Sequence, residues 1–157
     1  MHKLSWSISF VLLITLITVS YKFIYNGSVI AIEEETDGRQ ALILSDAERN
    51  FVLAEMRLFL SSVQAITSGV SKENIPQIIK AARKVGAKAQ PPTPDSLAAK
   101  LPLNFKKLGR DTHKKFDMLA LDAEELGDPE HSLQQLSELM NNCVACHSTY
   151  KINIELK

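Results

Sequence analysis

The sequence has little of several features that define common protein classes. It contains only two cysteines in 157 residues, which excludes a disulfide-dense scaffold and a four-cysteine zinc site. Its 18 Lys and Arg residues balance 18 Asp and Glu residues, and no Lys/Arg-rich run occurs, so we expect no nucleic-acid partner. It has no internal repeat and no strand-like alternation of useful length, which favours an all-α protein.

The N-terminus is apolar over a length that suits a membrane. Residues 4–21 form an 18-residue run without a charge, the lower limit for crossing a hydrocarbon core. Lys22 follows, and a snorkelling lysine would let the segment extend to about Tyr25. A cleaved secretory signal is the alternative, but no good small-x-small cleavage site follows, so we favour an uncleaved anchor. Both interpretations put the remaining chain outside the cytoplasm.

An acidic stretch separates this segment from the rest of the chain. Residues 33–38 read Glu-Glu-Glu-Thr-Asp-Gly, a composition typical of a solvated linker. We therefore divide the chain into a membrane anchor or signal segment at 1–31, an acidic linker at 32–43 and a folded domain at 44–157.

The folded domain begins with two stretches of helical apolar spacing. The first covers residues 44–68, where Ser45 and Glu48 form the capping box of a helix N-terminus and Gly69 predicts its end. The second covers residues 75–85. Their apolar stripes are Val52, Met56, Phe59, Val63 and Ile66, then Ile75, Ile78, Ile79, Ala82 and Val85.

Two more helices follow a proline-rich connection. Residues 87–102 hold four prolines, which predicts a long crossing loop with one short turn at 96–100. A third helix is predicted over 103–126, and a fourth begins at Asp128, a capping residue followed by proline. Four amphipathic helices with one long connection predict a four-helix bundle. The last two stripes are Phe105, Leu108, Thr112, Phe116, Leu119, Ala123 and Leu126, then Leu133, Leu136, Met140, Cys143, His147 and Tyr150.

The most informative motif is Cys-Val-Ala-Cys-His at residues 143–147, which has the spacing of a c-type haem attachment site. Cysteines three residues apart share one face of a helix, so Cys143 and Cys146 can both form thioethers with one porphyrin edge. The adjacent His147 can reach the iron as its proximal ligand. The motif therefore predicts one covalently bound haem c.

Three other chemistries use the same residue types. A zinc site would take three ligands from residues 143–147 and need His113 or His131 as a fourth. A thioredoxin-type dithiol wants its first cysteine at a helix N-terminus, whereas this motif lies at the C-terminal end of a helix. A plain disulfide is the last alternative. We favour haem because export, motif and a core-facing position for Cys143 and His147 agree.

The motif lies ten residues from the end of the chain, with no Met, His or Cys after it. In this respect residues 42–152 resemble the cytochrome c′-type, or class II, monohaem cytochromes. The resemblance implies a four-helix bundle with haem held by Cys143 and Cys146 on the last helix and His147 as proximal ligand. It also implies that Lys151 lies near the haem and that the first helix supplies the distal residue.

Met56 is the only methionine in the first predicted helix and is therefore the expected distal ligand. A thioether ligand raises the haem potential. A methionine on a helix face also commonly fills a core. A shift of one turn would instead put Leu60 at the distal position and leave the iron open. His113 is a lesser candidate that is better explained as a solvated surface residue, and His131 lies far along the fourth helix from the haem.

These features predict a periplasmic electron carrier, anchored to the outer face of a bacterial inner membrane and without enzymatic activity. A peroxidase would need a distal acid or base over open iron, and the first stripe carries no His, Asp or Arg. The alternative is a binder of diatomic gases, NO or CO, with Met56, Phe59 and Leu60 lining an apolar pocket. The redox partner is not identified by the sequence. Homodimers are common in the resembled family, and the helix stripes leave open whether this chain forms one.

Overall fold

A computed structural model of the chain describes residues 2–27, 29–30 and 37–155 and is mostly helical, as predicted. Helix α1 (His2–Ser20) continues into a π-helical segment, Tyr21–Asn26. The window Ile8–Tyr25 is long and apolar enough to cross a membrane, and none of it is buried. A signal sequence near the N-terminus meets the same criterion. The glutamates of the predicted linker lie outside the described residues.

The rest of the described chain is built mainly from helices. Each of the four longest packs against two others, because α2 and α5 both contact α3 and α6. This ring of contacts fits the predicted four-helix bundle. A 3₁₀ turn at Ala87–Ala89 and the short helix α4 lie in the proline-rich connection. The helices are α2 (Asp46–Ser71), α3 (Ile75–Arg83), α4 (Asp95–Lys100), α5 (Leu103–Leu126) and α6 (Pro129–Thr149).

Two predicted helix ends are wrong, since α3 ends at Arg83 rather than Val85 and the end of α2 differs for a packing reason. Helix α2 runs through Gly69 to Ser71 instead of stopping at Gly69. A Cβ atom at Gly69 would lie 2.7 Å from Cγ1 of Ile78, so glycine lets α2 and α3 approach closely. The predicted start at Ser45 and the predicted ends of α5 are confirmed, including Gly127 in the left-handed conformation.

The prediction that the chain forms no strands is also wrong. Strand β1 (Val29–Ile30) pairs antiparallel with β2 (Gln40–Leu44), and β2 pairs in parallel with β3 (Tyr150–Ile154). In β3, Tyr150, Ile152 and Ile154 alternate with polar residues, which is the two-residue period of a strand. Five residues were too few to identify without their distant partner. The pairing joins the end of the chain to the segment just before α2.

The apolar interior has two parts. The bundle core lies between the four long helices and consists of Phe59, Ile66, Ile78, Ala81, Ala82, Val85, Phe116, Leu119, Ala120, Ala123, Leu136 and Leu139. The sheet core lies where the strands, α4 and the start of α2 meet, and consists of Leu42, Leu44, Val52, Leu97, Leu101 and Tyr150. Met56 packs against both cores.

Candidate functional site

The cysteine motif lies in the last two turns of α6. The Asp128 carboxylate accepts hydrogen bonds from the backbone N–H groups of Glu130 and His131, at 2.9 and 3.2 Å, and so caps the start of that helix. The helix is unbroken to Thr149, so Cys143 and Cys146 lie one turn apart. The chain then becomes extended at Tyr150 and enters β3.

An apolar groove of about 340 Å³ runs between α2, α5 and α6 beside this motif. One wall carries Cys143, Cys146 and His147, and α2 supplies the facing wall, which includes Met56. The structure therefore brings together the thioether, proximal and distal candidates predicted from the sequence. The groove is lined by Glu55, Met56, Phe59, Leu60, Val63, Phe105, Leu108, Gly109, Thr112, Met140, Asn142, Cys143, Cys146 and His147.

The buried face of α6 is shifted by one residue from the predicted stripe. Asn142 is buried, whereas Cys143 is half-buried and His147 is exposed, so His147 does not face the core. The reason is polar: Asn142 Nδ2 donates to Asp111 Oδ2 at 2.8 Å and to Thr112 Oγ1 at 3.2 Å. Because its hydrogen bonds are satisfied, an asparagine occupies the buried position, and the cysteines face the groove.

Cys143 and Cys146 do not form a disulfide with each other, and their surroundings disfavour the thiolate form of both. Burial raises the pKa of Cys143, and burial together with the nearby Cys143 raises the pKa of Cys146 to about 11. A catalytic dithiol needs a lowered thiol pKa, because the thiolate is the nucleophile. The electrostatics of this motif are therefore opposite to those of a thioredoxin-type site.

The facing wall of the groove is fixed by the start of α2. Ser45 N–H donates to Glu48 Oε2 at 2.9 Å, and Glu48 N–H donates to Ser45 Oγ at 3.4 Å, which completes the predicted capping box. Lys100 Nζ also donates to Glu48 Oε2 at 2.9 Å and ties α4 to this turn. The Lys100 hydrogen bond lowers the pKa of Glu48 to about 2 against the opposing effect of burial.

The two distal candidates differ in exposure. Leu60 is 71% exposed, although it lines the groove. Met56 is half-buried and lines, together with His147, both the groove and a second depression next to it. Met56 therefore shares two depressions with His147, whereas Leu60 shares only the groove.

The second depression, of about 270 Å³, contains basic residues that were not predicted from the sequence. Arg39 and Arg49 line it together with the predicted Lys151 and with His147. Arg39 Nη1 donates to the backbone carbonyl of His147 at 3.5 Å, and Lys151 Nζ lies 3.5 Å from Asp37 Oδ1. Arg49 precedes Met56 by seven residues, or two helical turns, so the sequence could have placed both on the same side of the first helix. Arg39 and Lys151 meet only through the pairing of β2 with β3.

His113 is buried, so its interpretation as a solvated surface residue was wrong. Its Nδ1 lies 2.7 Å from the carbonyl oxygen of Val85, and its Nε2 lies 3.2 Å from Glu55 Oε1. Burial opposes protonation, but the Glu55 carboxylate and the Val85 carbonyl outweigh it and raise the pKa of His113. With both ring nitrogens occupied, His113 is unsuited to bind a metal in this arrangement.

The second histidine candidate lies away from the groove. His131 is in the first turn of α6, and its Nε2 is 3.5 Å from Asp122 Oδ2. Twelve residues of helix separate it from Cys143, a rise of about 18 Å. In the described part of the chain, no group of three or more His, Cys, Asp or Glu side chains could hold a metal ion.

Comparison of the chain with family models, with curated protein sequences and with solved structures found no match.

Proposed function

We propose that this protein is a monohaem c-type cytochrome that carries single electrons. The observation that carries the proposal is the position of Cys143, Cys146 and His147 along one wall of an apolar groove, with Met56 on the facing wall. The motif supplies the chemistry of covalent haem attachment, and the groove supplies the apolar surroundings that a porphyrin needs.

The donor set fits a haem. The sulfurs of Cys143 and Cys146 would hold the porphyrin covalently, and His147 and Met56 would supply a ring nitrogen and a thioether sulfur as ligands of the iron. Bound haem supplies an iron that alternates between Fe(II) and Fe(III). The side chains of Phe59 and Leu108 would exclude water from it, and Arg39 and Arg49 would supply positive charge beside His147.

Two of the competing chemistries are less well supported by the same contacts. A zinc site would need a fourth ligand, but His113 is engaged by Val85 and Glu55, and His131 lies near Asp122. A redox dithiol would need a lowered thiol pKa, and the pKa of Cys146 is raised to about 11.

The alternative function is a five-coordinate, cytochrome c′-like binder of NO or CO. The observation that favours it is the packing of Met56 against both the bundle core and the sheet core. A methionine held by two cores has a structural role that does not require iron. Under this alternative Met56, Phe59 and Leu60 form an apolar distal wall.

The N-terminal helix supports a membrane-anchored carrier on the periplasmic side of a bacterial inner membrane. The segment after the anchor lies against the body of the protein, because a Cβ atom at Gly27 would lie 2.4 Å from the Lys100 carbonyl oxygen. Gly27 has a φ of +63°, which other residues rarely adopt. The parallel pairing of β2 with β3 also joins the end of α6 to the anchor side of the chain.

The test is an absorption spectrum of the full chain, produced in a host that matures c-type haem. The oxidised and dithionite-reduced forms are each recorded with and without carbon monoxide. A low-spin reduced spectrum that the gas barely changes, with a thioether–iron charge-transfer band when oxidised, supports the electron carrier. A high-spin spectrum that shifts strongly with the gas supports the gas binder, and a chain without covalent haem overturns both.

A matched pair of variants sharpens this test. Met56→Leu should convert the spectrum to the high-spin, gas-responsive form, because leucine offers no ligand. Met118→Leu, on the exposed surface of α5, should leave the spectrum unchanged. If Met56→Leu also leaves the spectrum unchanged, Met56 is not the sixth ligand.

A further inference from the structure

The charges of α5 are segregated along its length. Residues 103–115 contain five Lys and Arg and one Asp, whereas residues 116–126 contain four Asp and Glu and no Lys or Arg. Helix α6 adds two glutamates and again no Lys or Arg. The chain as a whole has a net charge of zero, so the net charge points to no partner, and only the uneven distribution of the charges is informative.

This distribution does not serve the stability of the helix. Positive charge is favourable at a helix C-terminus and negative charge at an N-terminus, because of the helix dipole. In α5 the first turn has no acidic residue and the last turn no basic one, while Glu124 and Glu125 lie close to its C-terminal end. The acidic residues of the second half have partners within the fold, since Glu124 pairs with Arg83 and Asp117 accepts from the Ala87 N–H. The question of a role outside the fold therefore concerns the basic residues of the first half.

Three of the cations form one exposed surface, which we call the basic face: Lys107, Arg110 and Lys114. Their spacing of three and four residues puts them on one side of α5, where like charges repel. In the described structure none of the three forms an ion pair, whereas Lys115 pairs with Asp111 at 2.9 Å. The basic face therefore presents concentrated positive charge to solvent.

The basic face borders the groove. Its residues line an open depression of about 710 Å³, and Leu108 lines both that depression and the groove. Asp111, in the same depression, is joined to α6 through Asn142, next to Cys143. A partner bound over Lys107, Arg110 and Lys114 would thus lie beside the cysteine motif.

We propose that the basic face docks an acidic surface of the redox protein that exchanges electrons with this chain. The inference rests on the proposed function and adds the chemistry of the partner. Complementary charge steers two proteins together and orients them, and an electron carrier gains speed if the oriented contact lies beside its cofactor. Anionic lipid headgroups could also bind these positive charges. We favour a protein partner because the basic face borders the groove, and because α1 already supplies a segment that can bind a membrane.

Two triple variants, each with three charges reversed, test whether partner binding depends on the location of the positive charge or only on the net charge. The first is Lys107→Glu, Arg110→Glu, Lys114→Glu on the basic face. The matched control is Lys72→Glu, Lys80→Glu, Lys84→Glu, which changes the net charge by the same amount at exposed positions. Lys72 lies nine residues beyond Val63, about 13 Å of helix rise past the groove. Lys80 and Lys84 lie on or next to α3, which contributes no described lining residue.

The first readout does not depend on haem. A fluorescent hexaglutamate peptide is titrated at low ionic strength against the full chain in neutral detergent. The basic-face triple should weaken binding about tenfold, whereas the control triple should change it less than about twofold. Equal losses in the two triples would overturn the proposal, because net charge rather than location would then explain them. A protein that arrives without haem refutes the proposed function, yet this readout still tests the basic face.

The second readout is electron transfer from the reduced protein to hexacyanoferrate(III). Each reagent ion accepts one electron and becomes hexacyanoferrate(II), while the iron goes from Fe(II) to Fe(III). The wild-type rate should fall with rising salt, and the basic-face triple should lose about tenfold at low salt. A wild-type rate independent of salt would overturn the proposal. So would unchanged rates in the triple combined with lost binding to phosphatidylglycerol vesicles, because the face would then recognise lipid.

Discussion

The bundle core and the sheet core are built differently although they share Met56. The bundle core contains Phe116, Leu119 and Leu139, each fully buried, and its helices meet through apolar contacts. The region around the sheet core instead contains buried charge, since Glu48 is only 7% exposed and binds Lys100. The groove opens beside this second region. The comparison indicates that the bundle core supplies stability, and that polar interactions position the parts of the chain that border the groove.

The largest effect should come from the cysteine motif. The double variant Cys143→Ser, Cys146→Ser should contain no covalently bound haem, because each thioether bond requires the sulfur of one of these two cysteines. Its helical circular dichroism should match that of haem-free wild type, since both cysteines line the groove, and serine is small enough to replace Cys146 where it packs against the edge of the sheet core. Haem content is measured after denaturation and solvent extraction. Haem that resists extraction from this variant would contradict the proposed attachment.

His147 and His131 provide a matched pair on the same helix. His147→Gln should lower the yield of correctly ligated haem, because the variant lacks the proximal nitrogen. His131→Gln should have no effect on the absorption spectrum, since that side chain lies near Asp122 in the first turn of α6. Similar spectra for the two variants would show that His147 is not an iron ligand.

The second largest effect should come from the bundle core. Phe116→Ala should lower the free energy of unfolding by about 4 kcal/mol, because it removes a fully buried ring that stacks on Phe59 at 5.6 Å. Leu60→Ala, at a position 71% exposed, should cost less than about 0.5 kcal/mol. Urea unfolding followed by circular dichroism measures both. A Leu60 variant as unstable as the Phe116 variant would mean that the groove wall belongs to the core.

The third largest effect should come from a comparison of a buried and an exposed carboxylate near the sheet core, measured as the loss in free energy of unfolding. Glu48→Gln should cost about 2 kcal/mol at neutral pH, because a neutral amide replaces the buried carboxylate that pairs with Lys100, although it can still accept the capping-box hydrogen bond from Ser45 N–H. Glu155→Gln should cost less than about 0.5 kcal/mol, although Glu155 also lies 3.4 Å from Lys100, because that side chain is 58% exposed. Equal losses of stability in the two variants would show that burial does not strengthen the Glu48–Lys100 pair relative to the Glu155–Lys100 pair.

The pH dependence of the Glu48 contribution follows from its pKa. The folded pKa of about 2 lies below the ordinary value of 4.5, so the carboxylate stabilises the fold above pH 4.5. That stability is lost as the pH falls from 4.5 towards 2. The stability difference between wild type and Glu48→Gln should therefore shrink over this range, whereas the difference for Phe116→Ala should be insensitive to it.

Local sequence patterns predicted the helices because the caps that begin and end a helix depend on neighbouring residues. Ser45 with Glu48 and Asp128 with the two N–H groups after it are complete within one turn. The sheet escaped prediction because Gln40 pairs with Tyr150, 110 residues away. The same distance hid the meeting of Arg39 with Lys151 at the second depression. Distant partners carry no signal in a single sequence.

Burial of polar residues was the second source of error, for a related reason. His113 lies beside two lysines in the sequence, and its partners Val85 and Glu55 come from other helices or connections. Asn142 is buried through Asp111 and Thr112 on α5. A stripe of apolar residues cannot identify a polar side chain whose hydrogen bonds are supplied by another element, so the register of α6 was predicted one residue off.

The smallest effect should come from His113, whose contacts connect the two regions. Its Nδ1 contacts Val85 in the bundle core, and its Nε2 contacts Glu55 on the groove wall. The pKa of His113 is raised in the fold, so the protonated pair stabilises the protein fully below the ordinary pKa of 6.5 and loses this contribution as the pH rises through the folded pKa. Wild type should therefore lose up to about 1 kcal/mol relative to Glu55→Gln between about pH 6 and about pH 9. Urea unfolding across that range measures the difference, with Glu124→Gln as an exposed carboxylate control. A wild-type curve parallel to that of Glu55→Gln would mean that the pair is neutral throughout and only positions the groove wall.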